Sequence, residues 1–207
     1  MEKLLLFGGT FDPPHNGHIC LLRAALGAVQ PDSVVIMPTG IPPHKAVGHT
    51  SGALRMRMCE CFLPLFSPMI ISDMELVRGG KSYTVDTVRA LQKLHPQARI
   101  YLPMGSDMLL YFRKWHAYDA LLRAVTLVVQ CRDTDDLAPV EACAASLRAQ
   151  GGEVRLVHGP IEEVSSTQVR ALAAAGGDIS CFVPQQVARL VREYRLYQTE
   201  PEREEFI

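Results

Sequence analysis

GGTFDPPHNGH, residues 8–18, follows directly on the apolar run Leu4-Leu5-Leu6-Phe7 and packs three glycines, two prolines and two histidines into eleven positions. Apolar run, glycine pair and Asn16-Gly17-His18 read in order as a strand, a tight turn and the opening of a helix. Such a turn aims the free backbone N–H groups of the helix start at whatever anion lies over it, and phosphate is the natural guest. Neither common glycine fingerprint fits: G-x-x-x-x-G-K-[ST] needs a lysine and a hydroxyl ahead of the helix, and G-x-G-x-x-G is absent. His15 and His18, three apart, put both imidazoles on one side of the first turn, near its positive end. There they converge on one phosphate group as N–H donors and carry charge when an anion is bound. A lone histidine at a helix start is more often a cap or a packing residue; the H-x-G-H spacing behind Gly-Gly-Thr favours the anion site.

Outward from this turn, apolar β-rich runs recur at Lys3 to Phe7, Val34 to Met37, Met69 to Ser72, Arg99 to Met104, Val125 to Gln130 and Glu153 to Val157. Between most of them lie helical patterns, such as Ile19, Leu22, Leu26 and Val29, or Val85, Val88, Leu91 and Leu94. The runs are nearly continuous, as strands buried on both faces are. The fold class expected is therefore α/β, a Rossmann-like, doubly wound, mostly parallel sheet with helices on both faces. No repeat or low-complexity linker divides the chain, so a single domain over residues 1–207 is expected, closed by a helix behind Pro184 and a loose polar tail at 198–207.

A chain of 207 residues with 48% hydrophobic composition buries roughly 70% of its unfolded surface. Lys and Arg total 21 against 22 Asp and Glu, a balance that gathers neither nucleic acid nor an anionic membrane. The absence of a long apolar run or signal segment leads to an expected cytoplasmic location. Six cysteines, at 20, 59, 61, 131, 143 and 181, form no C-x-x-C or Cys/His set, and read as reduced thiols rather than zinc ligands.

Four further stretches carry chemistry. Val164-Ser165-Ser166-Thr167-Gln168-Val169-Arg170 opens a late helix with a Ser-x-x-Gln capping box. Its free N–H groups, the hydroxyls of Ser165 and Thr167, and Arg170 one turn in suit a polyphosphate; an ordinary cap with a solvated arginine fits equally well. Pro42-Pro43-His44-Lys45 follows the second strand, where loops line the ligand crevice of such sheets, and Lys45 is placed to reach a phosphate. Lys81-Ser82-Tyr83-Thr84 precedes a helix whose start suits a carboxylate, and the Trp115 indole suits a flat cationic ring, although a single tryptophan is more often a core residue. At Met104-Gly105-Ser106-Asp107, glycine lets backbone approach a nucleotide, and Asp107 either accepts from a ribose hydroxyl or caps the next helix.

The opening stretch resembles the G-T-F-D-P-x-H-x-G-H signature of the nucleotidylyltransferase superfamily, and from residue 3 to about 197 the chain is similar to its bacterial nicotinate-nucleotide adenylyltransferase branch. Val164 to Arg170 resembles that branch's I-S-S-T-x-x-R element, with valine for isoleucine; P-P-H-K, S-Y-T, a following aromatic and G-x-D also match. The resemblance implies His15, His18, Lys45 and Arg170 as catalytic groups on the phosphates, and Gly8, Gly9, Thr10, Phe11, Gly105, Asp107, Arg132, Ser165 and Thr167 around ATP. It implies Tyr83, Thr84 and Trp115 around nicotinate mononucleotide. Implied too are ATP and nicotinate mononucleotide as partners and Mg²⁺ arriving with ATP, with no metal held by the protein. A homo-oligomer is left open. Other superfamily members, such as phosphopantetheine adenylyltransferase or a cytidylyltransferase, and a nucleotide-sensing module without turnover are the alternatives.

Overall fold

Leu4 and Leu6 turn to one face of strand β1 (Glu2–Gly9) and Leu5 and Phe7 to the other, all 1% exposed or less, so the strand must be covered on both sides. The computed structural model, which describes residues 2–41, 50–131 and 137–198, places β1 near the middle of a sheet. The other strands are β2 (Ser33–Pro38), β3 (Met69–Ile71), β4 (Ala98–Gly105), β5 (Val125–Cys131) and β6 (Glu153–His158). Their order is β3-β2-β1-β4-β5-β6, and every neighbouring pair is parallel. The direction of winding reverses between β1 and β4, and the crevice outside the carboxyl ends of these two strands is where such a sheet takes a ligand.

The helices are α1 (Asn16–Val29), α2 (Gly52–Cys59), α3 (Met74–Arg78), α4 (Thr84–Leu94), α5 (Ser106–Tyr111), α6 (Tyr118–Ala124), α7 (Leu137–Ala149), α8 (Ser166–Ala174) and α9 (Gln185–Glu193). Short 3₁₀ segments, Glu60–Leu65 and Phe112–Lys114, follow α2 and α5. On one face Leu4, Leu6, Leu102 and Leu127 meet α4, α6 and α7 through Val88, Leu122 and Leu147. On the other, Leu5, Phe7 and Ile36 meet α1 through Leu22 and Ala25. Phe11 and Phe62 pack on Phe7 there, each at a centroid distance of 5.6 Å, and on each other at 5.3 Å. Burying each such ring contributes about 1.5–3 kcal/mol, which ties the start of the glycine turn to the core.

A third cluster joins Met58 of α2 to Val169 and Ala173 of α8 and to Val187 and Leu190 of α9. The carboxyl-terminal third thus packs beside α2, against the outside of the opening turn. The expected sheet and both helical layers are present. The loop with Lys45, the position of Arg132 and the tail 199–207 lie outside the described residues.

Candidate active site

Asn16 opens α1 and His15 is its cap residue, extended at φ −141° and ψ 171°. The His15 backbone N–H donates to Nδ1 of His18 at 3.2 Å. With Nδ1 accepting, the proton of a neutral His18 ring is assigned to Nε2. The two rings lie 3.7 Å apart between centroids, tilted by 36°. His15 is 8% exposed, and burial pushes its pKa down to about 4, so it is neutral near pH 7. The charge that two imidazoles suggest is therefore opposed at His15. Its Nδ1 is buried with no hydrogen-bond partner, and the residue lines a cleft of about 1040 Å³ at the carboxyl ends of β1 and β4.

Two glycines of the motif are there for space. A Cβ on Gly17 would stand 3.0 Å from the Glu162 carbonyl and 3.1 Å from His15 Nδ1, so any larger residue would press that segment and the imidazole away from the first turn of α1 by a few tenths of an ångström. A Cβ on Gly9 would stand 2.8 Å from the Phe11 ring, which folds back under the turn at φ +51° and meets His18 edge-on at 5.1 Å.

The far side of the turn is held by residues more than 150 positions away. Arg170 donates to the Asp12 carbonyl at 2.8 Å, the Ser166 hydroxyl to the Pro13 carbonyl at 2.9 Å, and the Asn16 N–H to the Phe182 carbonyl at 2.9 Å. The Tyr197 hydroxyl donates to the Asp12 carboxylate at 2.7 Å. Ser165 caps α8 reciprocally with Gln168, as its capping box predicts. Val164 and Ser166 line the cleft, whereas Ser165, Thr167 and Arg170 are not part of its described lining. Arg170 also donates to Thr167 Oγ1, at 3.2 Å. In this structure Arg170 therefore grips the loop under the histidines.

At the other end of the cleft stands the start of α4. Tyr83 is its cap residue, and Tyr83, Thr84 and half-buried Trp115 all line the cavity. Trp115 packs on Phe112 at 5.5 Å and closes the hydrophobic core from this side, so it serves core and cavity together. Sequence reading passed over His116, an exposed neighbour whose ring lies 4.2 Å from that of Tyr83. It also passed over Glu75, 7% exposed and lining the cleft, which accepts from Thr87 Oγ1 at 2.6 Å while Arg78 donates to that same oxygen. The pairing of Glu75 with Thr87 spans 12 residues and two helices, beyond what spacing within one element reveals. Ser82 lines the cleft as well, with its hydroxyl buried and unpartnered.

Between the two ends lies the end of β4. Gly105 is the cap residue of α5 and no side chain caps that helix, so of the two roles open to Asp107 the cap is not taken; Asp107 lines the cleft. Gly8, Gly9, Thr10 and Phe11 complete the wall from β1. Among the described residues no three His, Cys, Asp or Glu side chains gather as a metal-holding group, and no helix is long and apolar enough to cross a membrane.

The cytidylyltransferase-like family model matches residues 6–172, which hold the glycine turn, the sheet and α8 up to Arg170. A protein of Neisseria meningitidis serogroup B carrying the name "Probable nicotinate-nucleotide adenylyltransferase" is 38% identical over 201 residues, 96% of this chain and 100% of that one. The chain belongs to the nicotinate-nucleotide adenylyltransferase family. A member from Shouchella clausii is 37% identical over 198 residues, covering 95% of this chain and 97% of its own. Among solved structures, Plasmodium falciparum nicotinic acid mononucleotide adenylyltransferase complexed with NaAD superposes with a TM-score of 0.78 at 18% identity, over 95% of this chain and 98% of that one. That likeness confirms the Rossmann-like sheet. As a member of this family the protein is a nucleotidyltransferase.

Proposed function

We propose that the protein transfers the adenylyl group of ATP to nicotinate mononucleotide, giving nicotinate adenine dinucleotide and pyrophosphate in NAD biosynthesis. The observation that carries this reading is one cleft with two different helix starts in it. The start of α1 presents His15 and His18 to phosphate, and that of α4 presents Tyr83 and Thr84 beside Trp115 to a flat ring bearing a carboxylate.

A 5′-phosphate oxygen of the mononucleotide attacks the α-phosphorus of ATP in line, and the bond to the bridging oxygen of pyrophosphate breaks. The attacking oxygen is already ionised near neutral pH, so the protein positions and stabilises charge rather than supplying a base or forming a covalent intermediate. His18 donates through Nε2–H. His15, kept neutral, donates from one ring nitrogen without adding a cation. Thr10 and Lys45 orient the phosphates, with Ser165, Thr167 and Arg170 on the pyrophosphate side. Gly8, Gly9, Phe11, Gly105, Asp107 and Arg132 surround the rest of ATP. Tyr83, Thr84 and Trp115 hold the mononucleotide. Mg²⁺ would arrive with ATP, held by phosphate oxygens and water, and would neutralise charge on the phosphates.

Pyrophosphate release from ATP and Mg²⁺ tests the reading with nicotinate mononucleotide, nicotinamide mononucleotide and phosphopantetheine in separate reactions. The nicotinate reaction is expected to be fastest. Faster release with phosphopantetheine would move the protein to another branch of the superfamily, and binding of ATP without release in any reaction would make it a sensing module.

A further inference from the structure

The cleft must receive two phosphate esters, and among the described residues His15 beside it is neutral and Arg170 bonds a backbone carbonyl. One further cation is buried beside the site. Arg55 of α2 is 6% exposed, and its guanidinium donates through one nitrogen to the carbonyls of Thr10, at 2.9 Å, and Thr39, at 2.7 Å. Thr10 follows β1, Thr39 follows β2, and both line the cleft. Among the described residues no carboxylate stands within ion-pair distance of Arg55.

A guanidinium is charged at any working pH, and a buried one without a counter-ion is costly. Two carbonyl dipoles offset part of that cost. An anion on the other side of Thr10 and Thr39 would offset more, and the low-dielectric wall between them would leave the attraction poorly screened. The last carbonyls of parallel strands have no ladder partner and turn partial negative charge toward the crevice, where they would repel a phosphate.

We propose that Arg55 is a positioning residue for the polyphosphate: it holds the Thr10 and Thr39 carbonyls and sets an uncompensated positive charge behind the wall that the phosphates meet. The inference rests on adenylyl transfer only in naming the anion as a triphosphate. It separates two roles of one side chain, the hydrogen bonds that staple β1 to β2 and the charge that attracts substrate.

Calorimetric titration of wild type, Arg55→Lys and Arg55→Gln with inorganic tripolyphosphate, and with adenosine as the uncharged control, distinguishes these roles. Lysine keeps the charge, and glutamine keeps a carbonyl-binding N–H without it. Expected is tripolyphosphate affinity within about threefold of wild type for Arg55→Lys, and a loss of about tenfold to a hundredfold for Arg55→Gln with adenosine binding unchanged. In turnover, the KM for ATP should rise in Arg55→Gln while that for the acceptor nucleotide holds. Equal tripolyphosphate affinity in the two variants would overturn the proposal. Should Arg55→Gln not fold, Arg55→Met carries the same comparison; if every uncharged variant fails to fold while lysine folds, the charge serves the empty protein and the proposal is again overturned. The titration needs no acceptor, so failure of the nicotinate reaction would strike the functional reading and leave this one to stand or fall by itself.

Discussion

At the scale of single residues, taking the His15 ring out of water decides its charge, and this has a measurable sign. Its ordinary pKa of 6.5 falls to about 4 in the folded chain. Below pH 6.5 the unfolded chain takes up a proton that the folded one refuses, so stability is full above that pH and declines as pH falls toward 4, by ~3 kcal/mol in all. His15→Gln is therefore expected to flatten the acid limb of a urea-unfolding series between pH 6.5 and 4, while wild type keeps its slope. Gly17→Ala should cost about 1–3 kcal/mol and lower kcat/KM for ATP at least tenfold, because the added carbon meets the Glu162 carbonyl and the His15 ring together. An unchanged kcat/KM would show that the segment above the turn gives way freely. His15, Gly17 and His18 were legible in the sequence because their geometry is local to one helical turn. Arg55 and Tyr197 were not, since their partners lie 45 and 185 residues away and neither sits in a stretch with a pattern of its own.

At the scale of elements, β1, β2, β4 and β5 were readable because a parallel strand buried on both faces is a nearly unbroken apolar run, the edge strands β3 and β6 by shorter or alternating runs, and all observed bounds lie within two residues of those runs. Helices α5 and α6, of six and seven residues, turn fewer than twice and leave too few apolar positions for a period to show. The capping box of α8 was legible, but its place in the site was not, because what α8 faces is set by tertiary packing. Ser165→Ala should lower the unfolding free energy by about 1 kcal/mol through loss of the cap. If Ser165 acts only as a cap, the KM for ATP will not move with it; a severalfold rise would place its hydroxyl on the phosphates. Arg170→Met, which frees the Asp12 carbonyl, is expected to lower kcat/KM for ATP by an order of magnitude or more with a smaller change in the KM of the acceptor, as steady-state kinetics with each substrate varied will show.

At the scale of the molecule, the cleft lies where the winding of the sheet reverses and is walled by segments from β1 through α8. A ligand that fills it joins parts distant in sequence, so binding and global stability are coupled. At a hundredfold excess over its Kd, ATP or the dinucleotide product should stabilise the fold by about 2.7 kcal/mol, or roughly 5–10 °C in Tm for a chain of this size. Thermal denaturation at increasing ligand concentration measures this directly. No rise in Tm would mean that the cleft does not hold the nucleotide.

Among the described residues, five contacts fix residues 12–16 from outside, and they come from Ser166, Arg170, Cys181, Phe182 and Tyr197. The loop carries its signature in a dozen consecutive residues, but its fixed shape belongs to segments joined across more than 150 positions, so a fragment that stopped before residue 166 would keep the signature and lose every one of these clamps.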